Sequence, residues 1–472
     1  MSETISAKTA EAVKTGVSAA KLTDEPVVGV RVSPNGYLTA LVIGVFFSAF
    51  LIYLELGPWA VALLAVCAVV VPPLALTDRI TFDGRRLRRT GLLPRFWAWL
   101  NGYRYRLKLS DVEQIETEAR RAAKRGGNVF YRYRTTVAGA GLRFVFASGG
   151  EDYRRVIQSL LPRLAENVLD NRSLELRDYL AEPKEVLMKA EFARIPAADV
   201  LEDAFAARGK KQRRGRREIA PEEDKRAEYL RRLANELRLA GYLPQALEAF
   251  RRALVIRPRD GWLIFETARC LHSFASVERS EPLRRKALAL LRLAERRADG
   301  DGALLARLGE TYFQFGDCER ARGVFQRSID RLEESFRSVR GLAEIALREG
   351  KIAHVIHHFA AASRLADAPS LRRWTESETD YFSHLNADDD YMEMEIRRLN
   401  LLETLERSKR TTVRFAVCGL PAIAAGLAFG DDLVGQIGWA VSAVALLIWS
   451  GLTVGARVFA ERIPYELIES ED

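Results

Sequence analysis

LRRLANELRLAGYLPQALEAFRRALVIRP at 230–258 decides the reading of this chain. Leu230, Leu233, Ala234 and Leu237, then Ala246, Phe250 and Ala253, follow the spacing of two amphipathic helices. Gly241 lies between them, where a tight turn is eased by a residue with no Cβ. Pro258 ends the unit, because proline cannot continue helical hydrogen bonding. Small residues at 234, 246 and 253 let two helix backbones approach, with Phe250 filling the gap above them. LARLGETYFQFGDCERARGVFQRSI at 305–329 repeats the pattern through Leu305, Leu308, Gly309 and Tyr312, then Gly316, Ala321 and Phe325. Outward from these stretches, Ala234, Ala268, Gly309 and Ala343 hold equivalent places at intervals of 34, 41 and 34 residues.

The 41-residue interval marks a second unit, Gly261–Gly300, that keeps Ala268, Leu271, Ala287, Leu291 and Ala294 and carries seven extra residues near Ser276–Leu283. A fourth unit, Phe336–Ala368, keeps Leu342, Ala343, Gly350, Phe359 and Ala362, with Val355 where a small residue is usual. This period and these positions resemble the tetratricopeptide (TPR) repeat family. The resemblance implies a solenoid of four repeats over 227–369, whose concave surface binds proteins. A terminal helix pair over 370–411 is expected to cover its end.

By helix register, Arg231, Asn235, Arg238, Arg269, Arg307, Arg337, Arg340 and Arg348 lie on or beside the groove. Some TPR domains grip a peptide's C-terminal carboxylate there, and Arg231, Asn235 and Arg307 resemble that set. Glu266 and Ala303 stand where the full clamp needs Asn and Lys. The expectation is a basic groove for an acidic segment, since Arg pairs carboxylates bidentately. Pairing of these arginines with nearby Glu is the alternative.

Four apolar runs flank this array: Tyr37–Leu56, Trp59–Leu76, Val413–Phe429 and Ile437–Phe459. Each has the length that crosses a bilayer. They pair as hairpins over 37–76 and 412–460, turning at Gly57-Pro58 and Gly430-Asp431-Asp432. Both turns carry acids and no Lys or Arg, whereas Arg79, Arg85, Arg86, Arg88, Arg89, Lys409, Arg410, Arg414, Arg457 and Arg462 flank the other ends. The bias places both termini and residues 78–411 in the cytoplasm of a bacterial inner-membrane, multi-pass protein. No ionisable residue sits in the middle of a span, which disfavours an ion or proton pathway. Gly44-x-x-x-Ser48 and Gly451-x-x-x-Gly455 would allow close helix pairing or self-association.

Of 72 Lys/Arg and 63 Asp/Glu, residues 78–411 hold 65 and 51, so the basic surplus is concentrated there. Such a surplus suits anionic lipid or an acidic protein before nucleic acid. Residues 1–36 read as a disordered tail and 461–472 as a C-terminal tail. Residues 171–226 read as a helical and basic linker, with the exposed run KKQRRGRRE at 210–218.

Much of 79–147 alternates in period two, through Tyr103, Tyr105, Leu107 and Leu109, then Leu142, Phe144 and Phe146. That is the pattern of a half-buried antiparallel sheet. Glu151–Asp170 follows as a helix that Pro162 kinks or breaks. ITFDGRRLRR at 80–89, RLKLSDVEQIE at 106–116 and GLRFVFASGGEDYRRVIQSL at 141–160 resemble bacterial PH-like domains, assigned to 79–170. The insert PRFWAWLNGY at 94–103 departs from that pattern, and Trp97 and Trp99 either meet the membrane interface or cap the small core. Arg85, Arg86, Arg88 and Arg89 are the expected contacts to anionic lipid, and Arg104, Arg106, Lys108, Arg132 and Arg134 could share one sheet face.

The fold class expected is thus α+β, mainly α: two transmembrane hairpins, a small PH-like sheet and a TPR solenoid. Catalysis is not expected, because no acid, base, nucleophile or phosphate-loop constellation stands out. Cys67, Cys270, Cys318 and Cys418 have no metal-ligand spacing, His354 and His358 lack a third ligand, and Asp388-Asp389-Asp390 reads as a loop or a helix N-cap. No cofactor, metal or nucleic acid is expected. The expected function is a membrane-anchored adaptor that binds partner proteins. The alternatives are a self-assembling homo-oligomeric scaffold or an accessory subunit of a transport, secretion or enzyme complex.

Overall fold

The computed structural model describes residues 27–101, 105–125, 128–147, 150–197, 201, 220–298, 300–332 and 335–465. Arg104, the basic run 210–218 and most of the two tails lie outside them. The chain is mainly helical with small antiparallel sheets.

The first sheet starts earlier than expected. Val28–Arg31 forms strand β1, so this part of the supposed tail is ordered structure. It pairs antiparallel with β2 (Arg79–Phe82), and β3 (Arg86–Thr90) and β4 (Arg106–Lys108) complete the sheet. Between β1 and β2 stand α1 (Asn35–Tyr53) and α2 (Gly57–Thr77), an apolar hairpin inserted into the sheet. Its ends are joined by the β1–β2 ladder and by Asp78. This fully buried carboxylate accepts from the Tyr37 hydroxyl at 2.7 Å and from Arg89 Nε and Nη2 at 2.9 and 2.6 Å.

α3 (Leu92–Asn101) follows β3, and a second sheet holds β5 (Gln114–Arg125), β6 (Asn128–Gly139) and β7 (Leu142–Ala147). Arg106 and Lys108 therefore lie in one sheet and Arg132 and Arg134 in another, not on one shared face. α4 (Glu151–Leu160) closes the sheets with Tyr153, Val156, Ile157 and Leu160. Pro162 ends that helix, and two short 3-10 turns replace the rest of the expected span. The supposed linker then begins with a buried helix, α5 (Asn171–Tyr179), followed by α6 (Pro183–Phe192).

Four helix hairpins follow: α7 (Pro221–Ala240) with α8 (Leu243–Ile256), α9 (Gly261–Glu278) with α10 (Glu281–Arg297), α11 (Gly302–Gln314) with α12 (Cys318–Leu332), and α13 (Phe336–Arg348) with α14 (Ile352–Leu365). Each packs on the next, as a stacked array requires. The small-residue positions explain the packing. An added Cβ at Gly309 would come within 2.5 Å of the Phe325 ring, and one at Gly341 within 2.4 Å. The extra residues of the second unit lengthen α9 and α10 instead of forming a loop, with Arg279 making the turn at φ 51°.

After α15 (Pro369–Ala387), a single 41-residue helix, α16 (Asp389–Phe429), runs from the end of the array into the third apolar run. Asp388 caps it through the amides of Asp390 and Tyr391. α17 (Asp432–Val458) returns, and the chain beyond it is fastened back. Tyr391 donates to Ile463 O at 2.8 Å, Glu395 accepts from Ile463 N at 3.0 Å, and Arg462 pairs with Glu378 at 3.0 Å.

α1, α2, α16 and α17 are each long and apolar enough to cross a membrane. Within each pair small residues allow close approach. Ser48 donates to Ala60 O, and Gly44 faces Cys67. Gly419 and Gly438 face one another across α16 and α17, where Ser442 donates to Ala416 O. Trp439 joins the two pairs by ring contacts to Phe46, Phe50 and Tyr53.

The sheets and the array share one core. Phe144, Ile157 and Leu174 belong to the same buried cluster as Leu239, Phe336 and Leu371. Gly241 lies at this junction, at φ 92°, and a Cβ there would fall 1.8 Å from Val129 O of β6. Gly241→Ala combines left-handed strain with overpacking, and a loss of about 2–5 kcal/mol is expected. Chemical denaturation should read it, and an unchanged midpoint would show that the array does not close on β6.

Candidate functional site

The candidate site is the inner face of the array, formed by the first helix of each hairpin. Relative to Ala234, Ala268, Gly309 and Ala343, four arginines fall four residues after, one after, two before and six before: Arg238, Arg269, Arg307 and Arg337. The position shifts by about one helical turn per repeat, so they form a diagonal row across α7, α9, α11 and α13. The chain's own residues 166–175 lie along it. Arg337 Nη2 donates to the carbonyls of Glu166 and Leu169 at 3.0 and 3.1 Å. Asn171 Nδ2 reaches the Arg307 carbonyl at 3.5 Å. Glu175 Oε1 lies 2.8 Å from Arg238 Nη2 and 2.5 Å from Arg269 Nη1.

α5 is built to present Glu175. Asp170 caps it by accepting from Ser173 N at 2.8 Å, and the Ser173 hydroxyl bonds Thr117 of β5 at 2.8 Å. Leu174 and Leu176 are fully buried, and Glu175 between them is 4% exposed. Burial opposes its ionisation, but Arg238 and then Arg269 hold its carboxyl at about 2. Burial pushes Arg269 down to about 10 against the pull of Glu175, with Arg238 and Arg307 adding repulsion. The row therefore has more positive charge than its one shared carboxylate balances.

The structure accounts for the other expected groove residues. Arg231 makes a bidentate pair with Glu266, both contacts at 2.7 Å, and Asn235 donates to the same carboxylate at 3.0 Å. Arg337 also pairs with Glu310 at 2.6 Å. Arg340 pairs with Glu344 at 2.8 Å and lies over the Trp374 ring. Arg348 lies over Phe313, with Nη1 3.9 Å from Cys318 Sγ. The groove expected to await an external acidic segment is thus largely engaged by the chain's own acids. The reason is tertiary: Glu175 precedes the array in sequence and reaches it only after the sheets have packed.

Arg307 differs from its neighbours. Among the described residues it has no ion-pair partner, and its Nε has no hydrogen-bond partner. It borders a cavity of about 270 Å³ that it shares with Arg177, Arg231, Asn235, Trp262 and Phe265 and with four acidic residues, Glu166, Glu175, Asp178 and Glu266.

The expected lipid contacts divide. Arg85 and Arg86 are exposed, and Arg88 is half-exposed and pairs with Asp83 at 2.9 Å. Arg89 is committed to Asp78 at the foot of the first apolar hairpin. Among the described residues no three His, Cys, Asp or Glu side chains are grouped to hold a metal ion.

No protein-family model matches the chain, and no curated protein matches it. Solved structures similar to it include TTC0263, a thermophilic TPR protein in Thermus thermophilus, at 19% identity over 42% of this chain and 98% of that one, with a TM-score of 0.29. The MamA RS-1 ArsTM double mutant is 16% identical over 46% of this chain and 96% of its own, with a TM-score of 0.27. The APC/C hetero-tetramer Cut9-Hcn1 covers 64% of this chain and 52% of its own, at 13% identity and a TM-score of 0.30.

Because Glu175 is held below its ordinary 4.5, its contribution to stability is complete above that pH and is lost as pH falls towards 2. The linked loss is on the order of 3 kcal/mol. Asp170 is raised by burial and works in the opposite sense, so the variant is needed to isolate Glu175. Glu175→Gln should cost about 3–5 kcal/mol at neutral pH and lose that share of the acid dependence. Unfolding midpoints at pH 6 and pH 3 that match between the two proteins would refute the buried pairing.

Proposed function

We propose that this protein is a membrane-anchored interaction scaffold, with its sheet domain and helical array on the cytoplasmic face of a bacterial inner membrane. The observation that carries the reading is the rooting of two apolar hairpins in one packed body. The first is held by the Asp78 clamp and the second by α16 and its contacts to Ile463 and Arg462. The charges at the hairpin ends support the orientation, with Glu55, Asp431 and Asp432 at the turns and arginines at the feet. Among the described residues, seven strands in two sheets closed by a helix support a PH-like reading of the sheet domain. Arg85 and Arg86 suit contact with anionic lipid, as exposed cations do near a charged surface.

Partner proteins then meet the array on two surfaces. One is the outer side of α10, where Arg285, Lys286, Arg292, Arg296 and Arg297 are exposed without ion-pair partners among the described residues. This ridge suits an acidic protein surface. The other is the inner-face cavity at Arg307, which makes no ion pair among the described residues although Glu166, Glu175, Asp178 and Glu266 also line the cavity.

A self-assembling scaffold is the second reading. Gly451 and Gly455 have nothing within 4 Å of a Cβ position, so α17 keeps an unfilled small-residue stripe. Such a stripe suits contact with another helix.

The test compares proteins co-purified with the full-length chain, with Arg285→Glu/Arg292→Glu/Arg296→Glu, and with Arg307→Gln. Loss of a stoichiometric acidic partner in the triple variant assigns docking to α10. Loss only in Arg307→Gln assigns it to the inner face. Unchanged recovery in both rejects client binding through either surface. If light scattering then shows an oligomer that Gly451→Leu/Gly455→Leu reduces to monomers, the self-assembling reading stands instead.

A further inference from the structure

The best-formed unassigned site lies at the foot of the first apolar hairpin. Gly91 turns the chain there at φ 150°, so close that a Cβ would meet Thr77 O at 2.9 Å. α3 begins at once, its first amide donating to Thr77 Oγ1 at 3.3 Å. The insert that departs from the sheet pattern is thereby held at the end of α2. It turns Leu92, Leu93, Phe96 and Trp99 outward, and Trp99 is 78% exposed. Apolar and aromatic side chains in this position match a helix lying in a membrane interface.

The other side of α3 faces a cavity of about 380 Å³, bordered by Arg88, Arg89, Arg95, Arg106, Thr90 and Tyr105. Four arginines border it, and no acidic residue does among the described residues. Arg89 is neutralised by Asp78 and Arg88 by Asp83, while Arg88 Nε is buried without a hydrogen-bond partner. Arg95 and Arg106 have no ion-pair partner among the described residues. The cavity therefore has the charge to suit an anion and lies beside the foot of the first apolar hairpin. Its size is at the lower end for small-molecule sites, which suits a headgroup and not a whole lipid.

We propose that this cavity binds the phosphate and glycerol headgroup of an anionic phospholipid. Arg95 and Arg106 hold the phosphate oxygens, where guanidinium geometry favours paired hydrogen bonds. The acyl chains run outward past Leu92, Phe96 and Trp99. Lipid is favoured over a soluble phosphate because the apolar side of α3 continues the hairpin surface beside the cavity mouth. The proposal rests on the membrane-anchored reading.

Full-length protein is reconstituted with equal phosphatidylglycerol and phosphatidylcholine, released into mild detergent, and examined by native mass spectrometry. The wild type should retain one phosphatidylglycerol with about ten-fold preference, and Arg95→Gln/Arg106→Gln should remove that preference without moving the melting temperature. Arg106→Gln alone gives the same comparison if the double variant does not fold. Equal retention of both lipids by the wild type, or an unchanged preference in the variants, overturns the proposal. Displacement of the lipid by free glycerol phosphate at matched concentration assigns a soluble phosphate ligand and also overturns it. Carbonate extraction of the same membranes tests anchoring separately: release there sinks the membrane reading, whereas headgroup indifference in a retained protein sinks only this site.

Discussion

The buried pairing of Glu175 with Arg238 and Arg269 is the constraint on which the arrangement depends. A carboxylate and two guanidinium groups withdrawn from water carry a large desolvation cost, which only good geometry offsets. Leu174 and Leu176 fix α5 on the sheets while α7 and α9 bring up the arginines, so Glu175 Oε1 meets both, although Glu175 Oε2 and Arg238 Nε stay buried without hydrogen-bond partners. Removing Glu175 leaves two guanidinium groups without a counter-charge in the interior. The pairing therefore specifies how the sheets sit on the array as much as it stabilises them.

Two consequences follow for function. The array cannot be treated as a free module, since its inner face and the sheets are covered together and share a core through Leu239, Phe336 and Leu371. The apolar hairpins also leave this body at fixed places. One hairpin is an insertion between β1 and β2, which start and finish side by side. The other begins within α16 and is fastened again where Ile463 meets Glu395. Both hairpins are thus fixed in direction relative to the outer surface of the array, unlike segments on a flexible tether.

The repeat array was legible because it depends on local periodicity. Ala234, Ala268, Gly309 and Ala343 lie where their spacing put them, in the first helices of successive hairpins. The seven extra residues were visible as a count, but not as longer helices, because Pro282 at the break fits a loop as well as the first turn of a helix, where its missing N–H costs nothing. Strand β1 was missed for a different reason. VGVR at 28–31 is too short to show alternation, and its partner β2 follows only after the whole first hairpin. The arginines expected at the groove lie on first helices; the pairing of Arg340 with Glu344 follows a local i,i+4 spacing, whereas the meeting of Glu175 with Arg238 and Arg269 follows no local pattern.

By itself the sequence determined the features governed by near neighbours: four apolar runs, alternating strands, a helical period with its turns, and the sign of the charge at each hairpin end. These follow from side-chain polarity at regular intervals and need no knowledge of the rest of the chain. Only the tertiary structure decided which charges meet. Glu175 lies 63 residues before Arg238 and 94 before Arg269, and Asp78 meets Tyr37 across an entire apolar hairpin. Charge pairing between distant segments acts over a few ångströms in space and, unlike the i,i+4 pair of Arg340 with Glu344, carries no signature along the chain. Whether an arginine faces a carboxylate or a cavity was therefore settled when the sheets packed onto the array.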